Sequence, residues 1–388
     1  MKSICLHNGT IFAGFSLMEN CAVLIEDGVI ADVFSEKRFR GKTFAPNVEI
    51  IDVGGAYIAP GFIDTHIHGS GGFGAEDESA DSLLALSEFL VQYGVTSFNP
   101  TLYPSADMPR VLRSLAPAFG KEKGAKMMGF HLEGPFLSPD RLGVQKPETL
   151  HPVDIAYMEE LWDAADGHIV NMTVAPEIKN MHELALYCIK KGIVLQAGHT
   201  NGAYENMVEG MQAGILHSTH LFNAMSPMEH RNPNAVGAVL IHEEMTCEII
   251  ADGFHVHKDL FKLLLRDKNS DKIVLVTDSL KPTGQSAPPY FANNEEVVFG
   301  SGLWLRKKDK VIAGSALTMI KGLENLVQFG FNLDAAVRAA SANPARIMGY
   351  TRKGAIIPGF NADITVFDKT WNILAVLVEG DLKINKID

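Results

Sequence analysis

Eight short apolar runs, most of them separated by segments of helical periodicity, constrain this chain more than any other feature. They are GFIDTHIH (61–68), VTSFNPT (95–101), MMGFHLE (127–133), IVNMTVAPE (169–177), IVLQAGH (193–199), HSTHLFN (217–223), CEIIADGFH (247–255) and IVLVTD (273–278). Between them, SADSLLALSEFLVQYG (79–94) and MHELALYCIKKG (181–192) space their apolar residues as helices do. Gly94 and Gly192 stand where a helix can end on a left-handed glycine. Strand–helix alternation builds a parallel sheet, because parallel neighbours need a crossover. Eight units over about 220 residues predict an α/β fold, a (β/α)8 TIM-like barrel. A doubly wound sheet is the alternative, but no GxGxxG opens a helix after the first strand.

The two ends of the chain have a different texture. CAVLIEDGVIADVF (21–34) is two apolar runs joined at Glu26-Asp27-Gly28, a hairpin signal. GAIIPGFNADITVFD (354–368) is followed by NILAVLVEGDLKI (372–384), with a turn at Glu379-Gly380-Asp381. Since chain ends often lie close together, residues 1–56 and 350–388 are expected to join in one small β-sandwich domain, leaving 57–349 as the barrel.

Composition excludes several classes of function. The 388 residues carry a net charge of −12, from 34 Lys and Arg against 46 Asp and Glu. Such a chain offers no general surface for nucleic acid or anionic membranes. Cys5, Cys21, Cys188 and Cys247 are scattered without a CxxC pair, as small buried thiols of a reducing compartment are. His7 and Asn8 interrupt any signal-peptide core, and no apolar run approaches the ~20 residues that span a bilayer. The expectation is a cytoplasmic protein.

In a (β/α)8 barrel the strand ends converge on one face, where chemistry occurs. Nearly every run here ends in a polar residue: His66 and His68, His131 and Glu133, His199, His220, His255 and Asp278. His66 and His68 are two apart, so on a strand both imidazoles point to the same side, as two ligands of one metal must. His131 lies on the same side as Glu133 and either orients it or packs. His199 and His220 are 21 residues apart, about one βα unit, which places them on adjacent strands. Singly, each histidine is an ordinary interior residue. Together, four histidines and two carboxylates at corresponding strand ends predict a divalent metal site. The ligand count suits one or two ions, with Glu133 shared. Zn²⁺ comes first, and Fe, Mn and Co are compatible. Asp278 would bind metal or shuttle a proton, its bland alternative being an N-cap before Ser279. There is no GxSxG elbow, so acyl-enzyme chemistry is disfavoured and metal-assisted hydrolysis fits best.

PGFIDTHIHG, HLEGPF, GHT, HLFNAM, IADGFHVH and VTDS, in this order and spacing, resemble the metal-dependent amidohydrolase superfamily. HLEGPF with HLFNAM and ADGFHV resembles more closely the N-acetylglucosamine-6-phosphate deacetylases. The likeness runs on through AGSALTM (313–319), SANPARIMG (341–349) and KGAIIPGFNADITVFD (353–368). It implies a barrel inserted in a β-sandwich and a main metal on the residues matching Glu133, His199 and His220. A second ion is implied where the HxH pair, here His66 and His68, is kept. The implied reaction is attack of metal-bound hydroxide on the acetamide of N-acetylglucosamine 6-phosphate, with Asp278 as general base and then acid. Substrate contacts are implied at Asn223, Ala224 and His255. Arg231 matches an arginine that reaches the phosphate from the neighbouring subunit, so the resemblance implies a homodimer.

Three positions depart from the family pattern. Gly143-Val144-Gln145 stands for the usual Gly-Ala-His, leaving Gln145 as a substrate contact that donates a hydrogen bond but carries no proton. Glu229-His230-Arg231-Asn232-Pro233-Asn234 replaces His-His-Arg-Glu-Pro-Gly at the phosphate end. Lys281 follows Asp278 where small residues are common, and is expected to be solvated or to add charge at the cavity mouth. The alternatives are another amidohydrolase, acting on N-acetylgalactosamine 6-phosphate, another N-acyl sugar, an N-acyl amino acid or a cyclic amide, and a non-enzymatic relative that keeps the fold.

Overall fold

The computed structural model describes residues 3–14 and 16–387. Met1, Lys2, Phe15 and Asp388, which belong to the expected terminal domain, lie outside the described residues. Each of the eight apolar runs contains one barrel strand, apart from a single end residue at β2 and at β7: β1 (Phe62–Ile67), β2 (Val95–Leu102), β3 (Phe130–Glu133), β4 (Ile169–Val174), β5 (Val194–Ala197), β6 (His217–Ser218), β7 (Thr246–Ile250) and β8 (Ile273–Val276). Every neighbouring pair from β1 to β8 is parallel. The circle closes just beyond the ends of β8 and β1. Asp278 N donates to the His66 carbonyl at 2.9 Å and His68 N to the Ser279 carbonyl at 3.0 Å.

Alternation along the strands sorts residues between two environments. Phe98, Phe130, Leu132, Cys247, Ile249 and Leu275 face the helices in the main apolar core. The helix Ala80–Leu90 buries Leu83, Leu86, Ser87 and Leu90, an i, i+3, i+4, i+7 stripe. It runs into a short 3₁₀ turn that ends at Gly94, whose φ of 81° only glycine adopts without strain. The opposite parity fills the barrel with polar groups. Asn99 donates to Asn171 (3.0 Å), Asn171 to Gln196 (3.1 Å), and Gln196 to Glu248 (2.9 Å).

Both chain ends enter one further sheet, with strands in the order 381–385, 373–378, 364–367, 57–60, 3–12, 17–26, 29–35. Strand Ser3–Phe12 forks. Its first half pairs with Val48–Asp52 and its second with Tyr57–Pro60, which lets the sheet close as a small sandwich. Ile4, Leu6, Ile11, Val23, Ile25, Ile58, Ile364 and Leu377 form its core. Both expected hairpins are present. Asp27-Gly28 and Glu379-Gly380 each place two residues at positive φ, the geometry of a tight two-residue turn.

One element was not anticipated. After β8, residues expected only as part of the barrel form a four-stranded antiparallel sheet: Tyr290–Ala292, Glu295–Gly300, Leu303–Arg306 and Ile312–Ser315. Asn293-Asn294 and Ser301-Gly302 are its positive-φ turns. Among the described residues no helix is long and apolar enough to cross a membrane.

Candidate active site

The C-terminal ends of the strands open into a cavity of about 430 Å³. Two groups of buried side chains meet at its floor: Glu133, His199 and His220, and beside them His66, His68 and Asp278. Glu133 Oε1 lies 3.0 Å from His199 Nε2 and 3.2 Å from His220 Nε2, and the two imidazole nitrogens are 3.2 Å apart. The same oxygen is 3.6 Å from His66 Nε2, while Oε2 is 3.5 Å from His68 Nε2. Asp278 Oδ1 is 3.4 Å from His68 Nε2 and 3.5 Å from His66 Nε2. Glu133 therefore joins both groups.

Strand geometry accounts for the first half of this arrangement. His66 and His68 share a parity with Asp64, and Glu133 shares one with His131. Asp64 ties β1 to β8 by accepting from Thr277 Oγ1 at 2.6 Å. The other half depends on bends. His199, His220 and Asp278 have φ of 46°, 24° and 48°, left-handed conformations just past their strand ends that a non-glycine residue holds at about 1–3 kcal/mol each. Three side chains that a straight strand would carry elsewhere are thereby aimed at one point.

The imidazoles are held from behind. His199 Nδ1 donates to the Arg141 carbonyl at 2.9 Å and His66 Nδ1 to Glu248 Oε2 at 2.9 Å, which leaves each Nε2 lone pair facing the centre. The His68 ring stacks on Tyr103 at 3.8 Å. Burial works against the charge on Glu133, but His199, His220 and His68 outweigh it and hold the carboxyl well below its usual range. Asp278 is lowered likewise, against burial, by His68, His66 and His220. Burial would depress His66, yet Glu248, then Asp278 and Glu133, push it up to about 10. So much converging negative charge calls for a cation. Once deprotonated at Nε2, these buried imidazoles beside carboxylate oxygens are donors suited to a divalent ion. The ion would take the place of a proton on His66, whose Nε2 has no hydrogen-bond partner among the described residues.

The other expected residues divide. Gln145, Asn223, Ala224 and His255 line the cavity. Gln145 Nε2 donates to Glu133 Oε2 at 2.6 Å, and His255 Nδ1 to Asp252 Oδ2 at 2.6 Å. Arg231 is exposed and outside the cavity wall of its own chain. His131 packs: its two nitrogens meet Thr101 (3.1 Å) and Thr173 (2.8 Å) below the site. Lys281 stays partly solvated but does not line the cavity, because its ammonium is paired with the equally part-exposed Asp77. The four cysteines are free and buried, and burial pushes the Cys188 and Cys247 thiols up to about 12.

Sequence reasoning missed Tyr103, Arg141 and the segment Val311–Gly314 in the cavity wall, and Glu248 behind His66. For Glu248 a signal existed: a carboxylate at an inward position of an otherwise apolar strand.

A model of the amidohydrolase family matches residues 57–384. The chain belongs to that family. This amidohydrolase is 31% identical over 390 residues to the N-acetylglucosamine-6-phosphate deacetylase of Bacillus subtilis (strain 168), covering 98% of this chain and 97% of that protein. It is 28% identical over 330 residues to the N-acetylgalactosamine-6-phosphate deacetylase of Escherichia coli O157:H7, covering 84% and 87%. The crystal structure of N-acetylglucosamine-6-phosphate deacetylase from Pasteurella multocida superposes with a TM-score of 0.91 at 28% identity, over 99% of this chain and all of that one.

Proposed function

We propose that this amidohydrolase hydrolyses the N-acetyl group of N-acetylglucosamine 6-phosphate, giving glucosamine 6-phosphate and acetate. The observation that carries the reading is the pair of buried donor groups sharing Glu133 on the floor of a cavity in a chain whose full-length relatives are deacetylases.

Glu133, His199 and His220 would hold the main divalent ion, and His66, His68 and Asp278 a second; Zn²⁺ leads, and Fe, Mn and Co fit the same donors. When bound, such an ion lowers the pKa of water to near 7 and polarises a carbonyl. The chain supplies the rest. The Asp278 carboxylate, facing the cavity, takes the proton of the attacking water and returns it to the departing amine. Gln145 keeps one amide proton on Glu133 and has a second with which to orient the acetyl oxygen. Asn223 and the Ala224 backbone contact the sugar phosphate, and His255, braced by Asp252, adds positive charge at that end. Arg231, exposed on its own chain, completes the neighbouring subunit's phosphate site in a homodimer. The setting is cytoplasmic amino-sugar metabolism.

Turnover of N-acetylglucosamine 6-phosphate, its galacto isomer and both unphosphorylated sugars, on protein of measured metal content, tests the reading. Preference for the gluco phosphate is expected. Failure on every phosphorylated sugar with metal present overturns it, and preference for the galacto isomer would replace the substrate while keeping the chemistry.

A further inference from the structure

Glu248 takes no part in the mechanism above, yet it is a buried carboxylate that meets three donors inside the barrel. It stands on β7, fully buried, with its side chain in the barrel interior beneath the site. Oε2 accepts from His66 Nδ1 at 2.9 Å and from the His220 backbone N–H at 3.2 Å, and Oε1 accepts from Gln196 Nε2 at 2.9 Å. These three donors come from three different strand ends or strands: His66 on β1, Gln196 on β5 and His220 just past β6. A carboxylate taken from water is costly unless every lone-pair direction is met by a donor, and here the donors include parts of both groups on the cavity floor.

We propose that Glu248 is a positioning residue of the metal centre: it fixes the ring of His66 so that Nε2 faces the ion, and pins the bent backbone at His220. The inference rests on the metal reading given above. Its first effect is on the ring. A histidine that donates through Nδ1 has its lone pair on Nε2, and a carboxylate acceptor makes that lone pair more basic. His199 receives the same support from a neutral acceptor, the Arg141 carbonyl. Among the described residues His220 Nδ1 has no hydrogen-bond partner, so its orientation depends on the backbone, which Glu248 holds where φ is 24°. One side chain thus supports a ring in one group and a main-chain bend in the other. The ring contact is direct, so the His66 group depends on it more.

The test uses the full-length protein and Zn²⁺ as the probe. Apoprotein, Glu248→Gln and Glu248→Asp are titrated with Zn²⁺ against a chromogenic chelator, with metal content after dialysis and the thermal midpoint of each apo form measured in parallel. Gln is isosteric but sets an amide donor among three donors; Asp keeps the charge one methylene short. Glu248→Gln is expected to weaken the second, weaker Zn²⁺ roughly 10–100-fold, the range for loss of such a support. The tighter ion should change by about threefold or less, and Glu248→Asp should recover part of the loss. Two Zn²⁺ bound with wild-type affinity in Glu248→Gln, alongside a lowered apo midpoint, would mean that Glu248 is a folding contact only and would overturn the inference. Equal weakening of both ions overturns it too, as does a wild type that takes up one ion, since the His66 group would then hold none. A wild type that binds no Zn²⁺, Fe, Mn or Co defeats the metal reading itself.

Discussion

Replacing Asp278 by Asn and by Ala separates its chemistry from its backbone. The residue sits at φ 48°, and its main chain links three segments: its N–H donates to the His66 carbonyl (2.9 Å) and its carbonyl accepts from Ser315 N–H (3.0 Å). Asn tolerates the left-handed region as Asp does, so Asp278→Asn should fold with near wild-type stability. Alanine meets a penalty of about 1–2 kcal/mol there, which lowers the thermal midpoint of a chain this long by about 2 °C. Activity should behave differently. Loss of a general acid–base group reduces kcat roughly 10²–10⁴-fold, about 3–5 kcal/mol on the barrier, and neither replacement can carry the proton. The two variants should therefore be equally inactive but unequally stable. The assay is kcat on N-acetylglucosamine 6-phosphate at equal metal content, with thermal unfolding alongside. Asp278→Asn within tenfold of wild-type kcat would refute the proton-transfer role; equal midpoints for Asn and Ala would refute the backbone argument.

Other expectations follow from the same contacts. His199→Ala should lose bound metal and activity together, by about 100-fold or more, since losing a residue that merely supports a ligand already costs 10–100-fold. Elemental analysis settles it, and full metal content would count against ligation. Burial depresses the pKa of His255, but the hydrogen bond and charge of Asp252 outweigh it, with help from Asp278, and the net shift is upward from 6.5. The imidazolium thus persists to higher pH than in an unperturbed histidine, and phosphate affinity is lost as pH rises through the raised value. Asp252→Asn should move the rise in KM to lower pH, and superimposable KM–pH profiles would exclude the coupling. Lys281→Ala should leave KM for the phosphorylated sugar unchanged within about twofold and lower stability by about 1 kcal/mol or less, because the pair with Asp77 is partly solvent-screened. A tenfold rise in KM confined to phosphorylated sugars would return Lys281 to the cavity mouth.

Much of this architecture was legible in the sequence because period-two burial leaves a plain trace. The runs ending in His68, Glu133, His199 and Asp278 contain strands, and the HxH pair needs only strand parity to converge. Glu133, His199 and His220 come together as spacing and family likeness implied. The tertiary partners were not legible. Asp77 lies 204 residues before Lys281, and nothing local shows that the two ions meet. Tyr103 stands one residue past β2 and looks like a loop aromatic until the His68 ring is laid against it. The sheet of 290–315 escaped because its strands are short and partly exposed, so they lack the continuous apolar signature of the barrel strands.

The forked strand sets a timetable for the growing chain. Tyr57–Pro60 is bordered by Thr10–Ile11 on one edge and by Ile364–Phe367 on the other. The second partner leaves the ribosome about 300 residues after Tyr57–Pro60 itself, roughly 15–60 s later at ordinary synthesis rates. Through that interval any half-sheet formed by the N-terminal strands would keep the Tyr57–Pro60 edge open, of the kind that pairs with other chains. Nascent-chain yield should therefore depend on chaperone supply more than the stability of the finished fold would suggest, and truncation before residue 364 should give aggregates, not a free barrel.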